Sequence, residues 1–387
     1  MDDLLPASVT SLTEGLTDVV RSTIMPEAER VDRDAAWPAH SMSALRDAGL
    51  MGLNVPADCG GLGQGLLALT ATTEAIARGC SSSALCFGMH CVGTAVIAAK
   101  ATDYHRERYL RPIANGEHIT TLALSESGTG AHFYLPQTHL TRDEDALVVE
   151  GAKQFVTNGG HADSYVISTT ASTPEAEAGD FSCLVVDDGL PGLRWLDPWH
   201  GLGMRGNSSR GVELDRVRVP AENLLGAEGD QIWYVFEVVA PYFLTAMAGT
   251  YLGIAAEAYQ IAVAHLGRRE YAHSGETLAD APVLQHRIAE LWIAVEKARA
   301  MVYTAARLGD ASDPRALPYI LAAKAEAAAA AVTVSNEAMT LCGGSAYREN
   351  AKLARLLRDA RASHVMSPTS DLLKLWLGRT LLGVPML

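Results

Sequence analysis

At 387 residues the chain is long enough for two or three domains. With hydrophobics at 48% and aromatics at 6%, its core is aliphatic and Ala-rich, which favours helices. A net charge of −14 argues against nucleic acid or an anionic membrane as the main partner. The six cysteines (59, 80, 86, 91, 183 and 342) show no C-x-x-C or zinc spacing, and Met1-Asp-Asp opens no signal peptide. A reduced, cytoplasmic setting without a bound metal is expected. Residues 1–118 read as an N-terminal helical domain. Ala28 to Leu50 carries spaced apolar positions punctuated by Pro38 and Gly49, and Val55 to Gly63 is a Gly-rich turn. Helices are predicted at 66–79, 83–100 and 103–114. The longest apolar run, Ala84 to Ala99, is shorter than a membrane span and carries His90, so it reads as a buried helix.

From 119 to 227 the hydrophobic period changes to two. Strands are predicted at 119–125, 145–150, 153–157, 163–169, 181–187 and 211–219, with Asp/Gly/Pro-rich turns between them and an exposed Ala/Glu-rich loop at 173–180. Short strands with turn signals suggest a small barrel or sandwich between helical halves. From 228 to 387 long helices return, at about 230–268, 281–309, 313–341, 348–363 and 370–382, and form a bundle. The Ala323–Ala331 run marks a close helix–helix contact. No internal repeat is evident. The expected class is α+β, mainly α: an N-terminal helical domain, a small central β-barrel and a C-terminal four-helix bundle.

Two stretches of the β region carry the chemistry. Thr121 to Ser125 alternates as a strand and breaks into a loop with Gly128 and Gly130, where backbone amides can approach a flat or anionic ligand. Gly151-Ala-Lys-Gln-Phe-Val-Thr-Asn-Gly159, about 25 residues on, is a second strand with an aromatic and a threonine ahead of a Gly turn. Two such edges suit a ring system held between them.

With these loops in place, the chain resembles the acyl-CoA dehydrogenase family over nearly its whole length. Leu124-Ser-Glu-Ser-Gly-Thr-Gly130 resembles that family's L-T-E-P-x-A-G-S-D flavin loop, and Lys153-Gln-Phe-Val-Thr-Asn158 its K-x-W-I-T-N strand. Gly201-Leu-Gly-Met-Arg-Gly206 and Val217 to Gly226 match the end of the β domain. Gly343-Gly344 and Arg358-Asp-Ala360 match the bundle's Q-x-x-G-G and R-D-A elements. The resemblance implies FAD, a homotetramer or homodimer, and a thioester substrate held against the flavin. It places Leu124, Ser125 and Gly130 on one side of the flavin ring and Phe155 and Thr157 on the other. Arg268 matches the arginine that pairs with the FAD pyrophosphate, Tyr271 is the neighbouring aromatic, and Gly344 (from a partner subunit) and Thr369 approach FAD.

The departures concern chemistry. Ala131-His132 stands where Ser-Asp is usual, Thr340 replaces a glutamine, and about three extra residues before Ala281 leave Pro282 near the place of another. Ala346 replaces a glycine. The family's E-G-T, whose Glu takes the substrate α-proton, falls on Ser367-Pro368-Thr369. The alternative position for that Glu falls on Phe243, with Leu244 where an arginine is usual. The Ser367 amide is retained, and the resemblance has it hydrogen-bond the thioester carbonyl. Asp371, one turn beyond Ser367, is a candidate base or else part of the cap of the last helix, with Thr369 or Ser370 as N-cap. Glu126 reads as structural. His90, on the helix expected to border the acyl pocket, and His132, new in the flavin loop, are either pocket residues or ordinary hydrogen-bonded histidines.

Three functions remain open. The first is an atypical FAD-dependent enzyme acting on an acyl thioester of CoA or a carrier protein. The second is a flavin-dependent oxygenase, hydroxylase or non-redox elimination or cyclisation enzyme of the same fold, with a reductase or electron-transfer partner where redox is involved. The third is a catalytically silent subunit beside an active homologue.

Overall fold

The computed structural model describes residues 5–173, 179–229 and 233–386. Residues 174–178 of the expected exposed loop and the first three residues of the helix expected from 230 therefore lie outside the described residues. Seven helices open the chain: α1 (Ala7–Val19), α2 (Met25–Arg33), α3 (Ala39–Asp47), α4 (Leu66–Gly79), α5 (Ser81–Ala99), α6 (Asp103–His105) and α7 (Arg111–Ala114). Over 28–50 the helices break at the expected punctuation: Pro38 precedes α3, Gly49 follows it, and the chain reverses at Ala35, with φ 48°. The α5 helix is long and apolar enough to cross a bilayer, so its length does not rule out a span as expected; 89% of its apolar window is buried inside the fold instead.

Eight strands follow: β1 (Thr120–Ala123), β2 (His139–Asp143), β3 (Ala146–Val156), β4 (Ser164–Thr170), β5 (Phe181–Asp187), β6 (Leu193–Pro198), β7 (Arg210–Pro220) and β8 (Leu224–Leu225). They form two four-stranded sheets, in the orders β1-β4-β5-β8 and β2-β3-β7-β6, with β1 parallel to β4. Backbone bonds from Gln154 to Ser125 (2.7 Å) and from Thr170 to Thr138 (2.9 Å) tie one sheet to the other. The two strands expected at 145–150 and 153–157 are one, β3. Gly151 makes a bulge rather than a turn, and a side chain there would meet the Thr138 Cα at 2.8 Å. Strands β2 and β6 were not expected. Both are edge strands in which exposed polar residues interrupt the alternation.

The last helices are α8 (Ala240–Arg268), α9 (Pro282–Asp310), α10 (Ala316–Cys342), α11 (Lys352–Val365) and α12 (Ser370–Leu382). The bundle includes α4 of the first domain. Gly249 of α8 lies so close to it that a Cβ would sit 2.5 Å from the Thr70 carbonyl oxygen. Buried Glu74 of α4 accepts from Arg299 and from the Tyr303 hydroxyl (2.8 Å), both on α9. Asp310, ending α9, accepts from the first amides of α4, Leu66 (2.6 Å) and Leu67 (2.9 Å). The alanines of α10 are buried at 323, 327, 328, 330 and 331, the close packing that the sequence suggests.

Candidate active site

A cavity of about 540 Å³ opens where the β region, α5, the start of α8 and the loop between α11 and α12 meet. Its walls bring together most of the expected residues: Leu124, Ser125 and Gly130 from the first loop, Phe155 and Thr157 from the second, and Phe243, Ser367 and Thr369 from the helical half. Each is placed by local geometry. Phe155 sits at φ 55°, in the stretch where the β3–β7 register shifts, so the ring leaves the core and stands 59% exposed at the cavity mouth. A left-handed aromatic is uncommon and costs about 1–3 kcal/mol. Trp199, which the sequence reading did not single out, meets it edge-on at 6.0 Å. The available signal was a tryptophan in the turn-rich stretch between the strands expected at 181–187 and 211–219. Asn158 anchors the end of the second stretch by donating to the Cys86 carbonyl (2.9 Å) and accepting from the Trp37 indole (2.9 Å).

The walls suit a flavin ring. The backbone N–H groups of Gly130 and Ala131 and the Thr157 hydroxyl donate to no protein acceptor among the described residues, although all three residues line the cavity. Together with the Phe155 and Trp199 rings they offer hydrogen-bond donors for a ring edge and apolar surface for a ring face.

Glu126 is the one ionisable side chain on the cavity wall among the described residues, and it is fully engaged. It accepts from the amides of Gln137 (2.7 Å) and Thr138 (3.2 Å), the Thr138 hydroxyl (2.8 Å) and the Lys153 ammonium (2.5 Å). Burial alone raises its carboxyl; Lys153 and these hydrogen bonds outweigh burial and hold it below the usual value. Lys153, buried beneath it, is pushed down to about 8 by burial. The structural role expected for Glu126 is what the geometry gives.

Ser367 occupies the opposite wall. Its Oγ is buried without a hydrogen-bond partner, and its amide donates to no acceptor among the described residues. Buried polar groups left unpaired cost about 1–3 kcal/mol each, so this pair points to a ligand oxygen. The neighbouring wall is apolar: Leu85, Met89, Phe243, Met366 and Pro368.

Other candidates fall elsewhere. The α5 helix borders the cavity, but through Leu85 and Met89 rather than His90. His90 is fully buried, its Nε2 donating to the Met51 carbonyl (3.0 Å) and its Nδ1 accepting from the Thr120 amide (3.2 Å). Burial pushes it down to about 4, so it is a neutral pin between the N-terminal helices and β1. His132 is exposed, edge-on to Tyr134 at 5.7 Å, and off the cavity wall. Asp371 is exposed in the first turn of α12, whose N-cap is Thr369, accepting from the Leu372 amide (3.3 Å). It is the helix-start residue of the two alternatives. Arg268, Tyr271 and Gly344 lie on exposed segments away from this cavity.

Of the buried charges that the sequence reading did not single out, two hold residues of the cavity wall. Asp359 of α11 accepts from the Met204 amide (2.6 Å) and is pushed up to about 6 by burial. The contact is tight because Gly203, on the cavity wall, lies against the α11 backbone: a Cβ there would meet the Arg358 carbonyl oxygen at 2.3 Å. Lys324 of α10 is the second, pushed down to about 7 by burial. Neither polar pattern stands out in an Ala-rich helix or an R-D-A tripeptide.

Comparison with known proteins gives the family. Family profiles described as the acyl-CoA dehydrogenase N-terminal, middle and C-terminal domains match residues 9–117, 121–217 and 244–382. A cyclohex-1-ene-1-carbonyl-CoA dehydrogenase of Geobacter metallireducens is 32% identical over 369 residues, covering 94% of this chain and 95% of the relative. The butyryl-CoA dehydrogenase structure of Megasphaera elsdenii superposes with a TM-score of 0.91 at 24% identity, covering 98% of this chain and 99% of that one. A prolyl acyl carrier protein oxidase shares the fold with a TM-score of 0.89 at 21% identity, covering 97% and 99%. This chain, with all three domains in order around one cavity, belongs to the acyl-CoA dehydrogenase family of FAD-dependent oxidoreductases.

Proposed function

We propose that the enzyme acts on an uncharged acyl thioester and that its proton chemistry departs from the family's, because Ser367 stands where the resemblance puts the carboxylate base. The observation that carries this is the cavity wall itself. Among the described residues its one ionisable side chain is Glu126, locked by Lys153 and Thr138, while Ser367 offers an unpaired amide and an unpaired hydroxyl.

In this reading the Ser367 N–H holds and polarises the thioester carbonyl, a fixed donor aimed at developing charge. Leu85, Met89, Phe243 and Pro368 take the acyl chain, and no counter-charge is available for a charged one. FAD, when bound between the Phe155 and Gly130 edges, supplies hydride acceptance. Among the described residues no side chain on the wall is free to take an α-proton, so dehydrogenation depends on a substrate whose α-proton passes to solvent. The same lack of a base favours a second reading, a flavin-dependent oxygenase, hydroxylase or non-redox enzyme of this fold. Leu244 in place of an arginine and Ala131 in place of a serine weaken the CoA contacts that the resemblance implies, which leaves a carrier-protein thioester as an alternative donor. A homotetramer or homodimer, with a reductase or electron-transfer partner, fits either reading.

The test is an anaerobic visible spectrum before and after a panel of saturated acyl thioesters. Bleaching of bound flavin supports dehydrogenation. A flavin that stays oxidised, with oxygen uptake once a reductase is added, supports the oxygenase reading. A protein that refuses FAD overturns both and leaves the silent-subunit reading.

A further inference from the structure

The loop that carries Ser367 hangs on one cation. Lys324, on α10, is completely buried, and its ammonium donates to the carbonyls of Ser363 (2.8 Å), Met366 (3.3 Å) and Pro368 (3.0 Å). An ammonium has three hydrogens, and here each has its own acceptor. The three carbonyls bracket Ser367: one in the last turn of α11, one just before the serine, one just after it.

This cation is not held by an anion. Among the described residues Lys324 forms no ion pair, and burial alone accounts for its shift. Its further neighbours include His364, which feels its charge, and Tyr251 of α8, whose ring lies 5.9 Å away and whose hydroxyl meets the Met366 sulfur at 3.5 Å. Burying a charge without a counter-ion costs several kcal/mol, and a methionine of similar volume is commonly as stable or more so. The lysine is therefore poorly explained by stability. What it adds, and methionine cannot, is a fixed geometry for three backbone carbonyls around one residue of the cavity wall.

We propose that Lys324 is a positioning residue for the reaction: by drawing these three carbonyls together it fixes the Ser367 amide where the thioester carbonyl is polarised. The proposal rests on the reading of Ser367 above and adds the element that sets it in place.

The experiment compares the FAD-loaded wild type with Lys324→Met and Lys324→Ala. Hydrogen–deuterium exchange of peptides spanning 362–370 reads the loop without substrate. The expected result is exchange at least tenfold faster in Lys324→Met, with flavin content and Tm at or above wild type. Unchanged exchange overturns the proposal. The vibrational frequency of a thioester carrying a 13C carbonyl reads polarisation directly. Wild type is expected to lower it on binding, and Lys324→Met to lose that shift while the thioester Kd stays within threefold. A wild type that shows no shift refutes the Ser367 reading, and the exchange data still judge Lys324. If Lys324→Met does not fold, Lys324→Ala with added n-propylammonium is used. Recovery of slow exchange with the amine but not with n-propanol supports the role of the charge, and recovery with both or neither overturns it.

Discussion

Replacing Ser367 with glutamate puts a carboxylate into a wall that holds Met366, Pro368, Phe243 and Met89, with the Lys324 ammonium behind it on the Met366 and Pro368 carbonyls. Desolvation without a counter-ion raises a carboxyl above its ordinary value. Asp359, on the preceding helix and buried, is already pushed up to about 6. Burial raises the introduced carboxyl and Lys324 lowers it, so it is ionised at the alkaline end of pH 5–9 in either case. A positioned general base contributes about 10²–10⁴-fold, or about 3–5 kcal/mol of the barrier. The assay is the single-turnover rate of flavin bleaching by a saturated acyl thioester, measured anaerobically from pH 5 to 9. Ser367→Glu should raise it by at least 10²-fold over wild type, with the rate climbing with pH to a plateau, since only the ionised form accepts a proton. Ser367→Gln, equal in length and uncharged, should give no such gain. If Glu and Gln variants with intact flavin spectra react equally slowly at all pH values, the missing carboxylate is not what sets this chain apart, and the reasoning fails.

Further outcomes are expected elsewhere. Asp359→Asn should stabilise the protein at neutral pH, because the native carboxyl sits near 6 against about 3.9 unfolded and its ionisation costs about 3 kcal/mol. The folded state binds the extra proton, so the gain in Tm over wild type should be full above pH 6 and vanish by about pH 4; a constant gap would refute it. Glu126→Gln leaves Lys153 buried without its anion and should cost about 3–5 kcal/mol in denaturant unfolding, with flavin lost from the purified protein. Phe155→Ala removes an aromatic face worth about 1 kcal/mol and should raise the flavin dissociation constant roughly fivefold with little change in Tm, because the ring is exposed. An unchanged constant would place the flavin elsewhere.

Much of this was legible in the sequence because it is local. The change of period at 119 and its reversal after 227 come from backbone geometry and show in any stretch of ten residues. The cavity residues Leu124, Ser125, Gly130, Phe155 and Thr157 sit in two short motifs, so finding the motifs found the wall. What was missed depends on distant partners. Whether His90 faces the cavity or the Met51 carbonyl is decided by helix rotation over one position, and both faces of α5 are apolar. Lys324 is one lysine in an alanine-rich helix until residues 363–368 fold over it. Strands β2 and β6 are edges, whose polar faces carry no alternation to read.

The Glu74 and Asp310 bonds join residues more than 200 positions apart, across the entire β region. The helical halves are thus one folding unit, and the β segment is in effect a guest inserted into it. A fragment cut at 228 would deprive Arg299 of its buried carboxylate and leave α4 without its cap. Complementation is the natural outcome: two such fragments made together should reassemble, while either alone should be insoluble. The insertion points, near 117 and 228, are where the chain should best tolerate new termini.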